Sequence, residues 1–448
     1  MGASHRIEYA FGGMIHTLSG SAYWCVSPWA DPAQGPWLTM ASLPFSARPY
    51  EVPASANLTP TSISIPDAEI DSLKTLLKLT PIPKPNRFNS RDDGSFGLHR
   101  DVLSGLIEYW ENDYDWKKWE STLNTIPQFN MDVTDDDSKT YKINFFALFS
   151  KNPSAVPILF LHSWPGSVVE YLPILRKLQS QYDPESLPYH VIVPHHVGFP
   201  FSDAPPLDKD FSHLDNARLM SKMMHALGFD KSGYIASGGD LGGWSAPVIA
   251  NLDPACKLVH MSMLNVSPPA GEDVEAGMEA GRYTPDEVAA FARMAEFAKT
   301  GTAFIQLDGT KPASAGYIIG SNPVALLAWI GDKMFKWSDK TPDRDLIITN
   351  LALYWFTGCF PTSVYIHRVV FENVELMMNG WKTLKVPLGY SAFKYELVTA
   401  PERWIKQTDQ VSWYRMHERG GHFVALEEPE TLWKDVEDFI GKFWPTTL

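Results

Sequence analysis

The chain has 448 residues, a formal charge of −14, and 44% apolar and 13% aromatic residues, enough for a large core. The charge argues against nucleic acid or an anionic membrane as a partner, and no stretch reaches the ~18 uninterrupted apolar residues of a membrane helix. Three scattered cysteines, Cys25, Cys256 and Cys359, fit a reduced protein, and no basic start with an apolar run opens the chain, so a soluble cytoplasmic protein is expected.

Residues 1–42 read as a poorly structured appendage rich in Gly, Ser, Pro and Trp, with Met40 a plausible second start. Residues 43–150 form an N-terminal segment leading to the first strands. "IPDAEIDSLKTLLKL" predicts a helix behind a Pro-Asp start, and "RDVLSGLIEYWENDYDWKKWESTLN" a longer helical region. "YKINFFALFS" reads as a strand. Over 151–267, "VPILFLHSWPG" is a buried strand running into a tight turn, and "YHVIVPHHVGFP" and "SGYIASGGD" are further buried strands. "LGGWSAPVIANL" follows as a helix. Apolar strands alternating with helices imply a parallel sheet covered on both faces. Residues 268–375 break the rhythm with helical text alone, including "DLIITNLALYWFTGCFPTSVYIHRVVFENVELM", and predict a helical insertion. The α/β pattern resumes over 376–448 with "VPLGYSAF", "VSWYRMHERGGHF" and a last helix.

"GGDLG" (238–242) has the small-x-nucleophile-x-small pattern of a nucleophile elbow, with Asp240 at the nucleophile position. The same Asp could instead simply cap the helix that follows. Two segments weigh toward chemistry. "HSWPG" (162–166) follows a buried strand, and its turn can aim backbone N–H groups at an oxyanion. "RGGHFVALEEPE" places His422 in a glycine-rich loop before the last helix, where the base of a nucleophile–acid–His triad belongs. A carboxylate nucleophile suits an sp³ carbon with a strained or good leaving group; epoxides and alkyl halides fit, ordinary esters and amides do not.

On these motifs, with "PPLDKDF", "DNAR" and "PVALLAWIGDK", the chain resembles the epoxide hydrolases of the microsomal type, close to their soluble fungal members, from about Leu43 onward. The resemblance implies an α/β-hydrolase fold with a helical lid and an N-terminal meander. It implies Asp240 as nucleophile, His422 as base and Glu396, in "FKYEL", as the acid that orients it. The backbone N–H groups of Trp164 and Leu241 would form the oxyanion hole. No metal or organic cofactor is implied; the partner is a small apolar epoxide. Dimers occur in the family, and the sequence leaves a homodimer open.

The family opens the ring with two lid tyrosines, and neither is present. Counting from Thr310-Lys311-Pro312 puts Phe304 at the first position, or Thr302 with a gap; counting from Thr357 puts His367 at the second, with Tyr365 two residues earlier. Ser163 stands where glycine is usual, His195 and His196 where small or apolar residues are usual, and Leu241 where Trp or Ile is usual. With His162 and Phe304, Ser163, His195 and His196 are expected around the substrate. His367 and Tyr365 are the leading candidate proton donors, with Ser163, His195 and His196 behind them. Three functions stay open: an epoxide hydrolase with a substituted acid; a repurposed natural-product enzyme using the pocket for cyclisation, elimination or another non-hydrolytic step; and a non-catalytic binding protein, which the intact triad disfavours.

Overall fold

A computed structural model describes residues 43–91 and 94–444. The appendage expected over 1–42 lies outside the described residues. Nine strands form one sheet: β1 (Thr59–Thr61), β2 (Gln128–Thr134), β3 (Thr140–Leu148), β4 (Val156–Leu161), β5 (Tyr189–Pro194), β6 (Tyr234–Gly238), β7 (Cys256–Met261), β8 (Leu388–Phe393) and β9 (Val411–His417). Their order is β1-β2-β3-β5-β4-β6-β7-β8-β9. β1, β2, β3 and β5 pair antiparallel in turn; from β5 to β9 every pairing is parallel. Every residue of β4, β6 and β8 is buried, because helices cover both faces of the parallel part.

β1, β2 and β7 are strands that the sequence did not single out, and β2 is the longest of them. It has the period-2 pattern, with Phe129, Met131 and Val133 buried, but it opens directly behind helical text. The helical region expected over 100–124 is two helices, Arg100–Asn112 and Trp116–Leu123. The second is capped by Asp115, whose side chain accepts from the Lys118 N–H at 3.2 Å.

Between β7 and β8 the described chain carries helices and turns but no strand, and forms the lid. In the helical text from Asp345 onward the first helix stops at Thr357, because Gly358 turns left-handed at φ +61°. Short turns follow, among them a 3₁₀ turn over Val364–Arg368 that carries both Tyr365 and His367. No single helix among the described residues is long and apolar enough to cross a membrane; one pair passes only jointly and is bent by 113°.

Candidate active site

Asp240 stands where β6 ends and helix Asp240–Leu252 begins, held at φ +49°. That left-handed backbone is uncommon for a side-chain-bearing residue and raises the carboxylate off the turn. It requires close packing beneath. A Cβ on Gly242 would lie 2.0 Å from the Leu161 carbonyl oxygen, and one on Gly238 would lie 2.7 Å from the same atom. The small residues of the motif therefore let the helix sit on the end of β4.

The carboxylate divides its oxygens. Oδ1 accepts the Trp164 N–H at 2.8 Å, while Oδ2 stands 3.6 Å from His422 Nε2. On its other side His422 Nδ1 meets Glu396 Oε1 at 2.8 Å, and both side chains are almost fully buried. The same Glu396 oxygen accepts the Leu397 N–H at 2.6 Å. Burial alone would push the imidazole down, but the Glu396 charge and hydrogen bond, aided by Asp240 and Glu170, outweigh it and raise His422 to about 9.

The His422 loop is fastened to the lid. The His422 N–H donates to the Trp337 carbonyl at 2.9 Å. Glu427 Oε2 accepts from Asp339 N (2.7 Å), Lys340 N (3.2 Å) and Gly421 N (3.1 Å), and Oε1 from Phe423 N (3.0 Å). One carboxylate thus binds the turn after lid helix Pro323–Lys336 to the loop that carries the imidazole. Lid residue Arg293 likewise donates to the Glu396 carbonyl at 3.0 Å.

The "HSWPG" turn is clamped from the lid as well. Tyr354 donates to the Gly166 carbonyl and Asn350 to the Pro165 carbonyl, both at 2.8 Å. Ser163 finds its reason in Glu170: its hydroxyl donates at 2.6 Å, and its N–H adds a longer bond at 3.2 Å. Burial raises Glu170 to about 7 against those bonds, and the nearby Asp240 charge pushes the same way. Sequence reasoning missed Glu170. The available signal was its spacing of seven residues from Ser163 around a tight turn.

Phe304, rather than Thr302, faces Trp164: the rings stack at 5.2 Å and 7°, while the Thr302 hydroxyl donates back to the Ala298 carbonyl. His367 packs edge-on against Trp164 at 4.3 Å and Phe304 at 5.1 Å. Trp337 continues this aromatic wall to His422. Tyr365 points elsewhere, against Phe211 at 5.3 Å, with burial pushing its phenol upward. Its neighbours are therefore not those of the His367 side of the lid.

His162, His195 and His196 are all buried. His195 bonds Asn144 at 3.2 Å, and His196 bonds Asn216 at 2.8 Å and the His162 carbonyl at 3.2 Å. They buttress the turn from behind. Ser163 is likewise occupied by Glu170. Leu241 is fully buried at the first turn of the elbow helix. Among the described residues no three His, Cys, Asp or Glu side chains converge to hold a metal.

A sheet of this order, an acid on a strand-to-helix elbow and a helical lid define an α/β hydrolase. The model for the alpha/beta hydrolase fold matches residues 156–246, and the model for the epoxide hydrolase N terminus matches residues 58–171. A Dothistroma septosporum protein with the printed name "Putative epoxide hydrolase" is 36% identical, over 87% of this chain and 91% of that protein. The solved structure of Aspergillus niger epoxide hydrolase superposes with a TM-score of 0.80 at 37% identity, over 90% of this chain and 100% of that one. Juvenile hormone epoxide hydrolase from the silkworm Bombyx mori shares the fold at a TM-score of 0.75 and 24% identity, over 87% and 95%. The chain belongs to the epoxide hydrolase family and is a hydrolase of the class acting on ether bonds. The non-hydrolytic and non-catalytic readings are not favoured by these relatives.

Proposed function

We propose that the protein opens a small apolar epoxide through an ester on Asp240 and hydrolyses that ester to a vicinal diol. One observation carries the reading: the two Asp240 oxygens face different partners, Oδ1 the Trp164 N–H and Oδ2 the His422 imidazole. Oδ2 attacks a ring carbon as the ring C–O bond breaks, and the lid supplies the proton, with His367 the candidate donor. Oδ1 becomes the ester carbonyl oxygen, held by Trp164 N–H with Leu241 N–H proposed as the second donor.

Esterification removes the Asp240 negative charge, one of the causes holding the His422 imidazole protonated. His422 can then give up its proton and act as base toward water, oriented by Glu396.

The test is diol formation on a panel of aryl and alkyl epoxides, with a single turnover in H₂¹⁸O using excess enzyme. The expected diol is unlabelled, since its new oxygen comes from Asp240, and Asp240→Ala forms none. A diol carrying ¹⁸O after one turnover would show direct attack by water and overturn the reading.

A further inference from the structure

Asp308 and His367 form a second carboxylate–imidazole pair, in the lid and outside the triad. Asp308 sits one turn after Phe304 on helix Ala303–Thr310 and is fully buried. Its Oδ2 stands 3.2 Å from His367 Nδ1. Neither Asp308 oxygen nor that ring nitrogen makes a hydrogen bond: the groups are near enough to pair as charges but are not aligned as donor and acceptor. An orphaned carboxylate buried among apolar rings is costly, and a positive partner relieves it. Nδ1 is turned to Asp308, so Nε2 is the nitrogen left to meet a ligand.

We propose that Asp308 is a positioning residue that holds the Nδ1 side of His367, so that Nε2 stands on the Trp164 side of the site and protonates the opening epoxide. This rests on the two-step reading above. Asp240 Oδ2 forms the new C–O bond while the ring C–O bond breaks and its electron pair stays on oxygen. That oxygen takes the proton from His367 Nε2, leaving a neutral ring beside Asp308. Hydrolysis of the ester releases one proton through His422, and solvent returns one to His367, so the net change is epoxide plus water to diol.

The charged groups around the pair are few. Lys333 approaches from helix Pro323–Lys336, its ammonium 5.3 Å from the Phe304 ring; burial lowers it while Asp332 and Asp308 oppose. Arg368 pairs with Glu372 at 2.6 Å and also donates to the Gly309 carbonyl, beside Asp308, at 3.4 Å. Turn Phe360–Ser363 brings no titratable side chain. Asp240, and with it His422 and Glu170, lies across Trp164.

The experiment follows alkyl-enzyme formation in single turnovers at pH 7, for the wild type, Asp308→Asn, and both within a His367→Phe background. Asp308→Asn should slow alkylation by about 10- to 100-fold, within the span of a lost general acid, with KM little changed. In the His367→Phe background Asp308→Asn should remove nothing further. An unchanged rate in Asp308→Asn, or an equal loss without His367, overturns the proposal. If Asp308→Asn does not fold, His367→Phe alone decides: alkylation at the wild-type rate overturns the proposal. A wild-type protein that forms no alkyl-enzyme at all overturns the two-step reading itself, a result distinct from any effect of Asp308.

Discussion

Asp240, His422 and Glu396, the triad proposed above, stand at distances that differ in kind: 2.8 Å from His422 to Glu396, a hydrogen bond, and 3.6 Å from His422 to Asp240, a gap. The gap fits a base that serves water attacking the ester rather than Asp240 itself. His422→Gln should therefore still be alkylated but release diol more slowly by about 10²-fold or more. Intact-protein mass spectrometry would see the substrate mass added to the chain. A variant that stays unmodified while the wild type turns over would contradict the assignment. The residues legible in the sequence were those on local motifs: Asp240 in its glycine pattern and His422 in its glycine loop. Glu170 and Asp308 were not legible, because each gains its meaning from a partner brought near by the fold, Ser163 across a turn and His367 across two lid segments. The sequence likewise does not say that Asn144 and Asn216 wait for His195 and His196.

The elbow works as an element only because helix Asp240–Leu252 rests on the end of β4. Gly242→Ala would place a methyl 2.0 Å from a backbone oxygen that has no side-chain freedom with which to yield. Helix and strand must separate, at about 1–3 kcal/mol if the core takes up the strain. Chemical denaturation should show that drop in midpoint together with a loss of turnover, because the same movement displaces Asp240. An unchanged midpoint would mean the helix can slide, against the close packing seen here. The parallel strands were readable from their apolar runs and the elbow from its glycines. The breaks in the lid were less so: helical periodicity continues past Gly358, where a left-handed turn ends the helix.

At the scale of the molecule, acid is the expected weakness. Burial lowers His162 and His195 to about 3 and His190, His213 and His260 to about 4, and takes His196 well down. Each ring stays neutral when folded and charges when unfolded near pH ~6.5. The folded chain then binds fewer protons, so this stability is whole above that pH and drains as pH falls toward 4 and 3. Glu170 and Glu427, both raised to about 7 by burial, act oppositely: their contribution is full below the unfolded carboxyl range, about 4.3, and lost as pH rises through 7. Six rings outweigh two carboxyls. The thermal midpoint should fall steeply from pH 6.5 to 4; a flat profile there would mean the rings are already charged or hydrated in the folded chain.

The hydrogen bond from Trp164 to Oδ1 has a consequence for the enzyme's own atoms. In the proposed mechanism each catalytic cycle hands Oδ2 to the diol and replaces it with an oxygen from water. Oδ1, pinned by the N–H at 2.8 Å, keeps its place as long as the carboxylate does not turn over. On that mechanism one oxygen of Asp240 would be renewed at every turnover and the other would date from synthesis of the chain. After many turnovers in H₂¹⁸O, the peptide bearing Asp240 should be heavier by one label and not two. A second label would show that the carboxylate rotates between cycles and that Trp164 does not hold it.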